Sequence, residues 1–282
     1  MNQLIIAPQG GLCNRLRAVL SAVSLVAEGH LAADIRVGWS AEAECAARFD
    51  QLFLPYDVPQ WGEASQSASA PQLTVAPRRW YDRPVTRRNL HWPALVRSLI
   101  YAAQYRNTPP PLAELQRQFS AGHHVGVYVS TGEAFCDYSP RYIQRLRLQP
   151  HLQERVDRLS RTFDEHTIGV HIRRTDHVTA IAESPDSLFE QAMADAIAAD
   201  PDVRFFLSTD DEALKARLAA RFPQRVSTQP CHGTRADLAG MEEAVVDLWT
   251  LARCARIFGS YWSSFTDTAA EIGGTPLNII RK

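Results

Sequence analysis

The sequence predicts an α/β protein of two domains, each built on a parallel sheet covered by helices. Three observations carry that expectation. From Thr167 to the C-terminus, short runs of β-branched and aromatic residues alternate with longer segments of helical period, the pattern of a parallel sheet whose crossovers are helices. The chain opens on a similar unit, in which an apolar run passes through a glycine pair into a helical pattern. And 282 residues with 45% apolar content supply enough side chain for one large or two small domains with real cores.

In chain order, Leu4–Ala7 reads as a strand, Pro8–Arg15 as a glycine turn, and Leu16 to Val26 as a helix with apolar residues at helical spacing. Ala33–Trp39 is a second strand, Ala41–Phe53 a short helix, and the Ser-, Ala- and Gln-rich stretch Gly62–Pro71 an exposed loop. Arg78–His91, dense in arginine and aromatics, reads either as a solvated loop or as a contact for an acidic or carbohydrate acceptor. Pro93–Tyr105 is a helix stopped by three prolines from Pro109. Val125–Ser130 is a strand of alternating apolar residues, with Glu133 just past its end. Pro140–Phe163 is helical, and the domain boundary falls near it, giving domains of residues 1–150 and 151–282 with a cleft between them.

The second domain then reads as strand Thr167–Ile172, loop His177–Asp186, helix Leu188–Ala199 capped at Ser184-Pro185, strand Val203–Ser208 and helix Glu212–Phe222. A short strand Arg225–Thr228, a long helix Ala236–Cys254 and strand Ala255–Gly259 come next. A hydroxyl-rich turn Ser260–Phe265, helix Thr266–Ile272 and strand Leu277–Ile280 complete the chain.

Composition excludes several classes. Net charge is −1, so no nucleic-acid partner is expected and any anion site must be local. The five cysteines are scattered without CxxC spacing, which argues against a zinc site or a disulfide framework and for a reducing compartment. The N-terminus lacks a signal-peptide pattern and no window of 18 uninterrupted apolar residues exists. A cytoplasmic protein without a transmembrane segment is the expectation.

The stretch Thr167–Asp176, TIGVHIRRTD, concentrates the chemistry. It places His171, Arg173, Arg174 and Asp176 at the carboxyl end of a buried strand, where an open α/β sheet holds its ligand. Guanidinium keeps its charge and its planar fork suits phosphate or carboxylate. Side chains alternate along a strand, so if Arg173 enters the crevice, Arg174 points toward a carboxylate or the other wall. Gly10 and Gly11 offer positive φ and close backbone approach, either as a plain βα turn or as a seat for an anion or sugar oxygen, with Asn14 and Arg15 adjacent. Asp210-Asp211 suits either a divalent cation or a helix cap. Asp247, inside a helix among apolar neighbours, needs partners: a base edge or an arginine such as Arg253 or Arg256. Ser263 and Ser264 suit a phosphate or an ordinary N-cap.

These blocks together resemble the fucosyltransferases that use GDP-fucose, the α1,6 type with its nodulation-factor relatives and the protein O-fucosyltransferases. VHIRRTD resembles their HxRRxD motif, STDD following VRFFL a second block, the run from Ala244 to Gly274 with its Ser-Ser-Phe turn a third, and GGLCNRLR the glycine-asparagine loop. The resemblance covers the second half of the chain and its first twenty or so residues. It implies a GT-B fold of two Rossmann-like domains, the first on the acceptor side and the second binding the nucleotide sugar. It also implies inverting, metal-independent transfer of fucose from GDP-fucose to a hydroxyl of a glycan, glycolipid or small molecule, with no cofactor beyond the donor substrate.

By the same resemblance Arg173 grips the β-phosphate, His171 contacts the nucleotide, Asp247 reads guanine, and Ser263, Ser264 and Phe265 form the phosphate turn. Gly10, Gly11, Arg174, Asp176 and Asp210 join the donor site, and Asn14 matches the asparagine at the reacting centre. The α1,6-type members carry a lysine where this chain has His177 and a catalytic glutamate where it has Ile181. Glu183, the nearest carboxylate, is therefore the expected base, ahead of Glu133, Asp176 and His177. A non-catalytic GDP-sugar-binding protein, or a transferase for another GDP-sugar, is the alternative.

Overall fold

The computed structural model describes residues 2–59, 71–83, 91–120, 125–174, 178–229 and 234–282. The chain is α/β and divides into two compact units, Met1–Arg147 and Leu148–Lys282, each with a five-stranded sheet whose pairings are all parallel.

The first unit contains β1 (Gln3–Pro8), α1 (Leu12–Ala27), β2 (Asp34–Gly38), α2 (Phe49–Leu52), β3 (Leu73–Ala76), α3 (Trp92–Ile100), β4 (Ala103–Asn107), α4 (Leu112–Ser120) and β5 (Gly126–Thr131). Sheet order is β3-β2-β1-β5-β4, so the direction of winding reverses between β1 and β5. Every residue of α1 is buried except Asn14 and Arg17, as expected of a helix apolar nearly all round. Ile5, Ala7, Tyr101 and Tyr128 form a core cluster, with the two tyrosine rings stacked at 5.8 Å.

The second unit contains α5 (Pro150–Leu159), β6 (Thr167–Ile172), α6 (Val178–Glu183), α7 (Asp186–Ala199), β7 (Arg204–Thr209), α8 (Glu212–Arg221), β8 (Val226–Ser227), α9 (Leu238–Leu251), β9 (Arg256–Ser260), α10 (Ser264–Gly273) and β10 (Leu277–Ile280). Its order is β10-β9-β6-β7-β8, with the reversal between β6 and β9. All six residues of β6 are buried, as befits a central strand covered on both faces. Ile168, Val170, Phe189, Met193, Phe205 and Leu207 form the heart of the core.

Several expectations from sequence are corrected. Ala41–Phe53 is not one helix: Glu42 and Cys45 form an isolated bridge and only Phe49–Leu52 is helical. The helix predicted over Pro93–Tyr105 ends at Ile100, and Ala103–Asn107 joins the sheet as β4 beside β5. β3 and α4 carried no sequence signal strong enough to be placed. The helix predicted over Pro140–Phe163 is broken into a 3₁₀ turn Pro140–Arg145 and α5. Pro150 explains the break, since proline disfavours helical backbone at the residue before it and fits a helix's first turn. The loop predicted over His177–Asp186 contains α6, and α7 has Pro185 rather than Ser184 at its N-cap. The loop predicted over Gly62–Pro71 lies almost wholly outside the described residues, as do residues 84–90 of the arginine-rich stretch.

Candidate functional site

In the second unit, the carboxyl ends of β6, β7 and β9 converge at the point where strand order reverses, the position at which open α/β sheets bind ligands. Arg173 leaves β6 there. Its backbone N–H donates to Ser260 Oγ at the end of β9 (3.0 Å), and its guanidinium pairs with Asp210 Oδ2 at the end of β7 (2.8 Å). The side chain remains 17% exposed. Asp210 Oδ1 accepts the backbone N–H of Arg174 (2.8 Å), so one carboxylate orients both arginines. Asp211 caps α8 by accepting from Leu214 N–H (3.0 Å). The two aspartates therefore serve different partners, one the arginine strand and one a helix.

Arg174 takes a different course, as alternation along the chain requires. Its guanidinium donates to Asp186 Oδ1 (2.6 Å) and to the Ser184 carbonyl (2.8 Å), fastening the start of α7 beneath the strand end. Ser184 Oγ accepts from Tyr261 N–H (2.8 Å), and the Glu183 carbonyl accepts from Lys282 N–H (2.9 Å). Glu183 is thus held beside the turn that follows β9. Asp176 and His177 lie outside the described residues.

His171 is enclosed. Its Nδ1 sits 2.7 Å from Thr266 Oγ1 and its ring stacks on Phe265 at 4.7 Å. Burial drives its pKa down to about 3, so the imidazole is neutral at physiological pH. Thr266 reaches it because Gly259 permits close approach: a Cβ at that glycine would stand 2.0 Å from Thr266 Cγ2. The same close contact sets the N-terminus of α10 against β9. Ser263 occupies the N-cap position with no capping bond from its hydroxyl. The helix start therefore presents backbone N–H groups and the Ser263 and Ser264 hydroxyls without a side-chain cap, a geometry suited to an anion.

Asp247 is buried in α9, and both its oxygens are used: Oδ2 accepts from Ser208 Oγ (2.7 Å) and Oδ1 from Gln229 Nε2 (2.6 Å). Neither Arg253 nor Arg256 supplies the partner. Burial raises its pKa to about 6, against the lowering effect of those two bonds. Gln229 also donates to the Glu243 carbonyl, and Lys215 Nζ donates to the Gln229 carbonyl (3.0 Å).

Sequence reasoning passed over Ser208, Gln229 and Thr266, whose only signal was a hydroxyl or amide near a strand or helix end, and gave Ser184 a capping role alone. It also passed over Trp262. This residue is 69% exposed and adopts φ 54, a left-handed backbone that bulky side chains rarely take and that costs of order 1–3 kcal/mol. It stands between Tyr261 and the Ser263 cap.

The first unit shows a second convergence, at the ends of β1 and β5. Gly10 has φ +76, and a Cβ there would meet Asn14 Nδ2 at 3.0 Å; a Cβ at Gly132 would meet Asn14 Cβ at 3.5 Å. Asn14 thus packs over two glycines on the first turn of α1. Gly11, by contrast, is the N-cap with φ −71 and ψ 176, which any residue adopts. Arg15 donates to the carbonyls of Gly10 (2.9 Å) and Ser40 (2.7 Å) and to Glu42 (3.0 Å). Arg78 donates to the Gly38 carbonyl (2.9 Å), Glu42 (2.7 Å) and the Pro8 carbonyl. These two arginines hold the turn's shape from within.

Among the described residues no group of three or more His, Cys, Asp or Glu is arranged to hold a metal ion, and no helix is long and apolar enough to cross a membrane.

No family model matches the chain, and no curated protein matches it. Solved structures do. NodZ alpha-1,6-fucosyltransferase soaked with GDP-fucose superposes with a TM-score of 0.59 at 19% identity, covering 96% of this chain and 93% of that one. Fucosyltransferase NodZ from Bradyrhizobium gives 0.57 at 20%, covering 95% and 92%. POFUT1 in complex with GDP-fucose gives 0.56 at 11%, covering 99% and 98%. The chain has the GT-B-like fold of these proteins along nearly its whole length.

Proposed function

We propose that the protein is a cytoplasmic glycosyltransferase that moves fucose from GDP-fucose to a hydroxyl of a carbohydrate or glycolipid, inverting the anomeric centre without a metal. The observation that supports this most is Arg173: a guanidinium held by Asp210 at the strand-order reversal, one strand away from an α10 N-terminus that has no side-chain cap. In this reading residues 151–282 bind the donor and residues 1–150 serve the acceptor.

When the bond from fucose C1 to the β-phosphate oxygen breaks, its electron pair goes to the phosphate. Fixed donors must meet that charge. Arg173, the Ser263 and Ser264 hydroxyls and the free N–H groups of α10 are the donors in this reading, and a charge-assisted bond is worth about 1.5–3 kcal/mol. Asp210 and Arg174 position Arg173 and the α7 start. His171, neutral and locked on Thr266, supports the floor of the site, and Phe265 packs on it. Asp247, with Gln229 and Ser208, shapes the pocket for the base, and exposed Trp262 stacks on the donor. The acceptor oxygen attacks C1 and gives its proton to Glu183. In the same reading Gly10 and Gly11 join the donor site, Asn14 acts at the reacting centre, and Asp176 completes the arginine motif.

A second reading, a non-catalytic GDP-sugar-binding protein, is favoured by one feature: exposed Ile181 stands where the resembling α1,6-type enzymes carry their catalytic glutamate. Calorimetry with GDP, GDP-fucose, GDP-mannose and UDP, with and without EDTA, tests the donor. Binding of GDP and GDP-fucose but not UDP, unchanged by EDTA, is expected. Release of fucose from GDP-fucose, abolished by Glu183→Gln with binding retained, separates catalysis from binding alone. Absence of GDP binding would overturn both readings.

A further inference from the structure

Helix α3 is built the wrong way round for a soluble domain. At 100° per residue, Trp92, Leu95, Val96, Leu99 and Ile100 share one face. That face looks outward: Trp92 is 58% exposed, Leu95 52% and Leu99 81%. The helix's arginine looks inward. Arg97 is buried, donating to the Tyr81 and Arg83 carbonyls and to Gln104 Oε1 (3.0 Å), with its guanidinium 4.6 Å from the Tyr128 ring. The 3₁₀ turn Trp80–Asp82, on which α3 packs, adds another exposed indole, Trp80. Among the described residues most of the large exposed apolar side chains fall on this one element and its supporting turn.

Charge is equally uneven. The whole chain carries −1, yet between Pro77 and Pro109 the sequence holds seven arginines and a single carboxylate. That carboxylate, Asp82, is buried and accepts from Tyr101 Oη (2.8 Å), so it offers nothing to the surface. Arg83 and Arg106 are exposed, and Arg106 acts electrostatically on Arg97.

We propose that this face is a docking surface for the polar–apolar boundary of a bilayer containing anionic lipid. The apolar stripe of α3 enters the acyl boundary, the indoles of Trp80 and Trp92 settle at the headgroup level, and Arg83 and Arg106 meet lipid phosphates. The charge selects this occupant. A stripe of Trp, Leu and Ile alone would serve another protein equally well, but exposed Arg83 and Arg106, with Asp82 withdrawn from the surface, complement an anionic one. It does not complement a second copy of the same face, whose cations would repel it. Arginine stems also lie along apolar surface while their heads reach water. The proposal does not depend on the nucleotide-sugar reading, because no part of the arginine strand is involved.

Co-sedimentation with phosphatidylcholine vesicles containing 30% phosphatidylglycerol, without nucleotide or glycan, tests it. The full chain pellets with these vesicles, and its tryptophan emission shifts to the blue. Binding falls at least tenfold with pure phosphatidylcholine, in 0.5 M NaCl, or in the Leu95→Asp/Leu99→Asp variant. Both leucines are exposed, so that variant keeps its circular dichroism and melting temperature. A second pair, Arg83→Glu/Arg106→Glu, leaves the apolar stripe intact and also loses binding. No pelleting of the wild-type chain overturns the proposal, as does equal pelleting of the leucine variant. A wild-type dimer that Leu95→Asp/Leu99→Asp converts to monomer overturns it too, assigning the face to a second copy.

Discussion

The two sheets reverse strand order at equivalent places, and arginines gather at both, yet they do opposite things. At the β1–β5 end, Arg15 and Arg78 have side chains 1% exposed and are consumed by main-chain carbonyls and Glu42. At the β6–β9 end, Arg173 meets a carboxylate side chain and stays 17% exposed beside a helix start without a side-chain cap. Residue type therefore does not separate a buried architectural arginine from one that stays partly exposed beside a helix start. What the guanidinium is hydrogen-bonded to does. Carbonyls of adjacent strand ends are lost partners if the arginine leaves, whereas a carboxylate side chain can share a guanidinium with an anion.

Mutating both classes probes that contrast. Arg78→Ala strands two buried carbonyls and opens a cavity. It is expected to cost about 3 kcal/mol or more, read as a lower urea midpoint, with GDP affinity unchanged in the folded fraction. Arg173→Ala is expected to lower GDP affinity roughly 10- to 100-fold by calorimetry, from the loss of about 1.5–3 kcal/mol of charge-assisted bonding, with little change in melting temperature. If Arg173→Ala unfolds the chain while Arg78→Ala abolishes nucleotide binding, the contrast is the wrong way round.

The second unit also holds two buried titratable groups that oppose each other between about pH 4 and 6. Asp247, raised to about 6 from 3.8, keeps a proton in the native state that the unfolded chain has released, so its contribution is lost as pH rises from about 4 to 6. His171, lowered to about 3 from 6.5, stays neutral while the unfolded chain takes up a proton, so its contribution is lost as pH falls across the same range. In the wild type these slopes oppose. Asp247→Asn should lose about 2 kcal/mol between pH 6 and pH 4, and His171→Gln should gain a similar amount. Urea midpoints at pH 6, 5 and 4 read both. Parallel slopes in the two variants would show that the groups do not titrate as their burial dictates.

The smallest effect is at Trp262. Glycine there relieves the left-handed backbone but removes an exposed ring. GDP-fucose affinity should fall two- to fivefold, the worth of one aromatic contact of about 0.5–1 kcal/mol, while the melting temperature does not fall. A lower melting temperature would make Trp262 a packing residue instead.

The α/β class and most strands were legible because strand and helix periods are local. Pro140–Phe163 was misread because helical spacing persisted across Pro150, and α6 was missed because six residues do not establish a period. The apolar residues of α3 were read as a helix, but which way they faced was invisible: periodicity finds a stripe and not the side the core is on.

What the sequence determined by itself, then, was the alternation of elements and the strand end after which Arg173 and Arg174 stand. Both follow from side-chain chemistry and spacing along the chain. Only the tertiary structure decided which arginines are buried as architecture and which stay partly exposed, that Asp247 answers to Ser208 and Gln229 rather than to an arginine, and that α3 turns its apolar face outward. Each of those depends on partners that strand order and packing bring together, which the local period does not encode.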